Sequence, residues 1–554
     1  MSPQFGWANG LQALLVVAIV GAAYVQLGDY MARVYSRTTH LRFERSIYRL
    51  CGIDPEVEQP WTRYLASLLA FSAMSIFLLF GLLRLQSYLP FAENHPAVPP
   101  ALAFNTAVSF TTNTSWQNYA GEATLGHTAL AVGLGVAAFS SAAVGMAAGV
   151  ALVRGLARQE TNRVGNFWVD LVRGSLCVLL PLSVVFAVVL MACGVVQNLH
   201  GPGTFTTLAG AKQTILGGPA ASWEPIKLLS GDGGGAFNAN SAHPFENPNP
   251  LSNVIETVMM LLVPVAFIRL FGRMVGRHRQ GWALLAAAGL LFAAGAVATT
   301  TAEHAERNSA TVTAGGALEG TETRFGVAGS SLLGAAATAS ADGAANASYS
   351  SFSSLGGGVL MANMMLGEVS PGGAGSGLYG LLMMAMLAVF LGGLMIGRTP
   401  QYLGKKLRVR EVKFIALYVL AAPTVILAGT GLAAALPTGR ASVGNPGPHG
   451  LSEIVYAFTS SANGNGSAFA SLTGNTDFYN TALGVAMLLG RYLPMIFVLA
   501  LAGSFAVQRQ VATDGSLDTD SPLFVTLVVG ATLLVVGPEF FPVLALGPIA
   551  EGLT

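Results

Sequence analysis

The sequence predicts an all-α polytopic membrane protein with ten transmembrane helices. Four helix–pore-loop–helix repeats are arranged around a pseudo-fourfold axis, with one extra helix at each end. Three observations predict this fold: the composition, the number of apolar segments, and four similar loops between them. Of 554 residues, 53% are hydrophobic and only 10% are charged. Soluble domains carry roughly 25% charged residues, so the composition excludes a soluble protein.

Ten apolar segments are long enough to cross a membrane, since a transmembrane helix needs about 20 predominantly apolar residues. They are 5–27, 63–86, 127–153, 168–195, 252–271, 281–300, 377–397, 413–436, 480–505 and 521–543. The first lacks a basic n-region and is followed by a basic loop. This pattern favours a retained anchor helix over a cleaved signal peptide.

The basic residues predict the orientation of the chain. Lys and Arg concentrate at the loops after the odd-numbered segments. The exceptions are Lys212, Lys227, Arg307, Arg324 and Arg440 in the other loops, and Arg84 and Arg491 within segments. Cytoplasmic loops carry the excess of positive charge, so we expect both termini on the extracytoplasmic side.

The loops after segments 2, 4, 6 and 8 resemble one another. Each contains a short semi-apolar stretch that runs into a Gly- or Asn-rich string, at 104–121, 223–242, 330–358 and 451–474. Their superposition puts Gln117, Gly233, Gly343 and Gly466 in register. Self-similarity of this kind indicates a repeated structural unit. Here the unit is a span, a short pore helix, a polar loop and a second span.

The repeats divide the chain into six predicted parts. These are 1–62 (N-terminal anchor helix and basic cytoplasmic loop), 63–165 (repeat 1), 166–280 (repeat 2), 281–412 (repeat 3), 413–510 (repeat 4) and 511–554 (C-terminal transmembrane helix).

Four polar loops in a membrane protein predict an ion site. Non-helical backbone at membrane depth must be packed in protein or line a watery cavity. A ring of backbone carbonyls can replace the hydration shell of a monovalent cation. Glycine adopts positive φ at little cost, and the short helices would aim their negative C-terminal ends at the cation. Hard oxygen ligands suit alkali or alkaline-earth ions.

Several motifs allow other interpretations. GDGGGA at 231–236 resembles a dinucleotide fingerprint but lacks a βαβ context, and no P-loop occurs, so no bound nucleotide is expected. The composition of 301–347 also fits disorder, chiefly at 305–322. His243 is expected to be a hydrogen-bonded structural group rather than a metal ligand. Arg491 lies inside an apolar segment, where an ionised residue by default has a function. The net charge of +1 indicates no nucleic-acid partner.

Six strings carry a resemblance to a known family: GGGAFNANSAHPFENP, TSSANGNGSAFA, NTAVSFTTNTSWQNY, LGEVSPGGAGSGLYG, IGRTPQYLGKK and LLGRYLPMI. End to end, the chain resembles the potassium-binding subunit of the bacterial Kdp potassium-transporting ATPase. The resemblance implies a K⁺-selective, channel-like subunit of an ATP-driven uptake pump in the bacterial cytoplasmic (inner) membrane. Such a subunit selects K⁺ from outside, hydrolyses no ATP and passes the ion through the membrane to a partner.

The implied partners, besides the lipid membrane, are three subunits. They are a P-type ATPase subunit (KdpB-like), a single-helix subunit with a periplasmic domain (KdpC-like) and a small single-helix subunit (KdpF-like). The resemblance also implies site residues. The four filter strands contain Thr112, Asn113 and Thr114 with Gln117; Gly231, Asp232 and Gly233 with Asn240; Ala341, Asp342 and Gly343; and Gly464, Asn465 and Gly466. Gating or an inner barrier is implied for Glu368, Arg398 and Arg491.

Two filter positions depart from the family pattern, because Asp232 and Asp342 stand where neutral residues are usual. A pore-facing carboxylate would strengthen cation binding and weaken K⁺/Na⁺ discrimination, whereas one turned behind the filter would brace it. Two alternative functions also stay open. One is a stand-alone K⁺ or K⁺/Na⁺ channel or secondary transporter of the Trk/Ktr/HKT kind. The other is a structural membrane scaffold.

Overall fold

The computed structural model describes residues 3–201, 203–305, 318–367, 369–395, 397, 399–511 and 517–553, with side chains from residue 10 onward. Most of 305–322 therefore lies outside the described residues. Within the described part of the chain, ten helices are long and apolar enough to cross a membrane. Spans 1 to 10 are Gly10–Ser36, Trp61–Arg84, Ala129–Ala157, Phe167–Ala192, Pro250–Met274, His278–Ala305, Ser376–Met395, Val409–Ala435, Asp477–Val507 and Pro522–Leu553. Each overlaps one predicted segment, which confirms the ten-span prediction.

Shorter elements connect the spans, and the helix of span 1 begins at Pro3. The short helices are Arg42–Leu50, Pro100–Thr111, Gly121–Thr124, Ala220–Ser230, Gly326–Ala339, Ser354–Met365, Pro437–Arg440 and Gly447–Asn463, and 3₁₀ turns cover Gln86–Tyr88, Asn240–Ala242 and Tyr349–Ser351. Three antiparallel strand pairs join Gln59–Pro60 to Arg163–Gly165, Gly203–Thr206 to Lys212–Ile215, and Gln401–Tyr402 to Lys405–Lys406. Spans 3, 4 and 10 contain the π-helical stretches Ala129–Leu134, Arg173–Leu179 and Ala545–Ile549.

Spans 3 and 5 lie at the centre of the molecule. Within an apolar stretch of 18 residues, 94% of the residues of span 5 and 83% of those of span 3 are buried, against 17% for spans 1 and 2. Span 3 is rich in Gly and Ala, which allow the backbones of neighbouring segments to approach closely. At Gly149, for example, an added Cβ would lie 3.2 Å from the backbone oxygen of Gly375. Small residues therefore position span 3 against the middle of the fold.

Four of the short helices occupy equivalent places in the chain. Pore helices 1 to 4 are Pro100–Thr111, Ala220–Ser230, Gly326–Ala339 and Gly447–Asn463. They lie between spans 2 and 3, 4 and 5, 6 and 7, and 8 and 9, respectively. Helices 1 and 4 begin with proline in the first turn, where its missing N–H costs no hydrogen bond. The order span, pore helix, loop and span thus recurs four times, and the exact domain boundaries stay a prediction.

Repeat 3 departs from the simple plan because its second membrane segment is broken. After helix Ser354–Met365, residues 366–367 and 369–375 form no regular helix, and span 7 begins only at Ser376. Residues 369–375 of this stretch are buried. The sequence prediction placed a single span at 377–397 and missed the preceding helix. Its length of 12 residues is too short for a span, and three consecutive glycines reduce its helix propensity.

Candidate functional site

All four pore helices end in the same backbone motif. One residue just after each helix adopts positive φ: Asn113 (61°), Gly231 (64°), Ala341 (55°) and Gly464 (69°). It is the second residue after pore helices 1 and 3 and the first after pore helices 2 and 4. The following residue donates its N–H to the carbonyl five positions back. These bonds are Thr114 to Ser109 (3.0 Å), Asp232 to Lys227 (3.0 Å), Asp342 to Ala337 (3.0 Å) and Asn465 to Ser460 (2.9 Å). A left-handed residue with this bond is the Schellman helix ending.

The shared motif fixes the structural register of the four loops. The next residue in each is Ser115, Gly233, Gly343 or Gly466. Gln117 was predicted in register with the three glycines, and that alignment is wrong by two residues. Its side chain instead spans two loops, because its Oε1 accepts the N–H of Gly235 at 2.9 Å. Ser115 has a φ of 50°, so it adopts the left-handed conformation that glycine provides in loops 2 and 4.

The four loops form a closed ring in the order 2, 3, 4, 1. A Cβ added to Gly233 would overlap the backbone of Gly343, and one added to Gly343 would lie 2.8 Å from the backbone oxygen of Asn465. At Gly466 a Cβ would overlap the carbonyl oxygen of Thr114. The ring closes where a Cβ on Gly234 would lie 3.1 Å from that of Ser115. Backbone therefore contacts backbone at three of the four junctions, and side-chain atoms of Ser115 and Gln117 complete the ring between loops 1 and 2. We call pore loops 1 to 4 residues 112–117, 231–235, 340–344 and 464–467.

Two asparagines join neighbouring loops. The Asn113 amide donates to the Gly231 carbonyl at 2.7 Å, and its oxygen accepts from the Ser141 hydroxyl at 3.0 Å. The Asn465 amide donates to the Asp342 carbonyl at 3.2 Å. In loop 1 the Thr112 and Thr114 hydroxyls share a bond of 2.9 Å. These side chains hold the backbone of the ring in place.

The two predicted acidic residues differ in their contacts, although both are fully buried. Asp342 accepts the N–H of Ala344 at 2.9 Å, as Asn465 accepts that of Ser467 at 3.0 Å. Asp342 therefore braces its own loop. Within the described residues, neither carboxylate oxygen of Asp232 has a hydrogen bond of good geometry, and the nearby Ser115 hydroxyl is likewise unsatisfied. Buried polar groups without partners are rare in folded proteins.

Two residues that follow pore loop 2 are structural. Asn240 packs against the loop, since a Cβ added to Gly235 would lie 3.1 Å from its Cα, and its Oδ1 accepts from the Lys227 ammonium at 2.7 Å. His243 stacks on Phe237 with ring centroids 4.0 Å apart, and its Nδ1 accepts the N–H of Phe245 at 3.1 Å. Burial lowers the pKa of His243, which keeps the imidazole neutral. In the described part of the chain, no cluster of three His, Cys, Asp or Glu residues could hold a metal ion.

Arg491 lies on span 9 beside the break in repeat 3. Its guanidinium donates to the Ser141 carbonyl at 3.3 Å. A Cβ on Gly145 would lie 2.8 Å from this guanidinium and 2.9 Å from the Ala374 oxygen, so the three segments meet there. A cavity of about 60 Å³ is lined by Arg491, by Gly464 of loop 4 and by Glu539 of span 10. The other two predicted gating residues, Glu368 and Arg398, lie outside the described residues.

Sequence reasoning missed two residues of this region. Ser115 was hidden because no glycine marks its position in repeat 1. Lys227 was assigned to an outer loop, yet its side chain is completely buried. Its position in the otherwise apolar helix end IKLLSG was the available signal, since a cation there needs buried partners.

The ten spans and the ring of four pore loops define a class of protein, the four-repeat pore-loop membrane proteins. The same fold occurs in the crystal structure of the potassium transporter TrkH from Vibrio parahaemolyticus. The two superpose with a TM-score of 0.52 over 90% of this chain and 98% of that chain, at 15% sequence identity. At this identity the likeness shows the fold alone.

The chain belongs to the potassium-transporting ATPase A subunit family, whose model matches residues 14–553. Curated relatives are similar over their whole length, and each is described as a potassium-transporting ATPase potassium-binding subunit. The relative from Clavibacter michiganensis subsp. michiganensis is 53% identical, with 99% of each chain covered. Those from Mycolicibacterium smegmatis and Streptomyces avermitilis are 54% and 52% identical, with 98% and 100% of each chain covered, respectively.

Proposed function

We propose that the chain binds K⁺ from the extracytoplasmic side in the ring of pore loops and serves as the ion-selecting subunit of an ATP-driven potassium uptake pump. The observation that carries the proposal is the closed ring of four equivalent helix ends. Their C-termini approach one another, so the four helix dipoles favour a cation at the centre. Backbone oxygens of the four loops then replace the hydration shell of the ion. The names of the relatives support K⁺ as that ion.

The transport reaction requires partners. ATP hydrolysis belongs to a P-type ATPase subunit, and K⁺ passes from the ring through the membrane to that subunit. A single-helix subunit with a periplasmic domain and a small single-helix subunit complete the complex. The distribution of Lys and Arg supports an inner-membrane protein with both termini outside.

An inner barrier keeps the ion from passing directly to the cytoplasm. We assign this role to Arg491, Glu368 and Arg398. The contacts of Arg491 support its part, because a buried guanidinium near the end of pore helix 4 repels a cation that leaves the ring.

Two rival functions make different predictions, and reconstitution separates them. With the partner ATPase subunit co-purified, we expect K⁺-stimulated ATP hydrolysis, and we expect no K⁺ flux from this chain alone in liposomes. Sustained K⁺ flux through the isolated chain would favour a stand-alone channel or secondary transporter. A scaffold predicts that ring substitutions leave the K⁺ dependence of hydrolysis unchanged.

The ring acids provide a test of selectivity. We expect Asp232→Asn to raise the K⁺ concentration for half-maximal ATPase activity about tenfold, or about 1.4 kcal/mol, and to improve discrimination against Na⁺. The reason is that the carboxylate of Asp232, when ionised, attracts any small cation. The assay titrates K⁺ and Na⁺ separately on the purified complex.

Asp342→Asn is the matched control. An asparagine at this position can accept the N–H of Ala344, as Asn465 accepts that of Ser467. We therefore expect K⁺ affinity within about twofold of the parent protein, a difference of about 0.4 kcal/mol. Equal effects of the two substitutions would contradict the assignment of Asp232 as the acid that acts on the ion.

A further inference from the structure

A buried ion cluster lies behind pore loop 2. Lys227 and Glu224 belong to pore helix 2, Glu246 follows the loop, and Glu256 belongs to span 5; all four side chains are fully buried. The Lys227 ammonium lies 3.0 Å from Oε2 of Glu224 and 3.4 Å from Oε2 of Glu246. Glu256 also interacts electrostatically with it. One ammonium thus contacts two carboxylates, and the charge of a third acid, Glu256, also acts on it.

Lys227 contacts the chain on both sides of pore loop 2. Its carbonyl accepts the N–H groups of Asp232 and Gly233 at 3.0 and 3.3 Å, where the chain enters the loop. Its ammonium donates to Oδ1 of Asn240 at 2.7 Å and to the Ser241 hydroxyl at 3.2 Å, where the chain leaves. The ammonium thus links the turn after pore loop 2 to the helix end from which the loop begins.

Glu246 extends the same support. While Oε2 pairs with Lys227, Oε1 accepts the N–H of Phe237 at 3.0 Å. Phe237, which lies between Gly233 and the turn Asn240–Ala242, is thus linked to the ammonium through one carboxylate. A buried ion pair of this kind costs desolvation energy, and breaking it by removal of one partner leaves an uncompensated charge.

The other three repeats lack this arrangement. The residues equivalent to Lys227 are Ser109, Ala337 and Ser460, as the shared helix-end bonds establish. None of them can place a charge behind its loop. Pore loop 2 is also the loop with three consecutive glycines, so its backbone has the most conformational freedom to restrain.

We infer that Lys227 is a positioning residue that fixes pore loop 2 in its ion-binding conformation and thereby sets the K⁺ affinity of the ring. The inference rests on the proposed function of the ring. If Lys227 served only the stability of the fold, its substitution would reduce the yield of assembled protein and leave the K⁺ affinity of the surviving complex unchanged.

The experiment measures K⁺-stimulated ATPase activity of the assembled complex. We expect Lys227→Met to raise the half-saturating K⁺ concentration at least about tenfold, with a smaller effect on the maximal rate. Lys227→Arg, which keeps the charge, should recover part of the affinity. Arg269→Met is the control, because it removes another ion pair between helices, Arg269 with Asp29 at 2.8 Å, which has no contact with the ring. We expect unchanged K⁺ affinity for this control.

An assembled Lys227→Met complex with unchanged K⁺ affinity would overturn the inference. If that variant does not assemble, Glu246→Gln provides the test, since glutamine can keep the bond to Phe237 while losing the ion pair. A shift of about threefold or more in half-saturating K⁺ supports the inference, and no shift overturns it. If ring substitutions change the K⁺ dependence but the Lys227 and Glu246 variants do not, only the positioning role of Lys227 is contradicted. Ring substitutions without effect would defeat the proposed function itself.

Discussion

A Gly466→Ala variant assembled with its partner ATPase subunit is expected to need about a hundredfold more K⁺ for half-maximal ATPase activity, a loss of about 2.7 kcal/mol. Gly466 has a φ of 94°, a conformation that alanine rarely adopts. Its Cβ would also overlap the carbonyl oxygen of Thr114 in the neighbouring loop. Because the atoms that the Cβ would meet belong to the backbone of Thr114 and Ser115, no side chain can move aside, and the junction of loops 4 and 1 must open. K⁺ titration of the ATPase activity measures the effect.

Gly431→Ala is the matched control for this substitution. Gly431 lies in span 8, and an added Cβ there would meet no atom within 4 Å. We expect its K⁺ affinity to remain that of the parent protein. A Gly466→Ala complex that assembles normally and keeps its K⁺ affinity would show that the ring does not bind the transported ion.

The ring illustrates which features the sequence could predict. Segment length and hydropathy were sufficient for the ten spans, since a membrane permits few alternatives to a continuous apolar helix. Three loops could be aligned because Gly233, Gly343 and Gly466 mark them. Repeat 1 could not be aligned in the same way, because Ser115 replaces the glycine. Its register depends on where pore helix 1 ends, and sequence patterns determine helix ends poorly.

Side-chain roles were harder to predict than positions. Asp232 and Asp342 cannot be distinguished by their place in the sequence, as both precede a ring glycine. Their difference arises from local geometry: Asp342 accepts a backbone N–H two residues on, whereas Asp232 faces Ser115 of another repeat. The partners of Lys227 are likewise up to 29 residues distant in sequence, so only the folded chain brings them together.

The fold also depends on a second charged site, at the end of spans 3 and 4 away from the ring. Arg154 of span 3 makes two bonds to the Asp170 carboxylate of span 4, at 2.6 and 2.8 Å. Asp170 also accepts the Tyr64 hydroxyl of span 2 at 2.9 Å, and Arg154 donates to the Tyr35 carbonyl of span 1 at 3.1 Å. Four spans therefore meet at one bidentate ion pair.

Arg158 provides the comparison needed to test this pair, because it lies one turn further along the same helix end. It forms an ion pair with Glu58 at 2.7 Å, but these side chains are 33% and 44% exposed. Solvent screens such a pair, and exposed pairs contribute about 0 to 1 kcal/mol. The two arginines thus differ mainly in burial.

We expect Arg154→Met to lower the free energy of unfolding by about 3–5 kcal/mol, since it leaves the Asp170 carboxylate buried without its cation. Arg158→Met should lower it by less than about 1 kcal/mol. Thermal unfolding of the purified chain in detergent measures the stability of both variants in parallel. A double variant, Arg154→Met with Asp170→Asn, removes both charges and should be more stable than Arg154→Met alone. Equal stability of the two single variants would mean that the buried pair does not hold the four spans together.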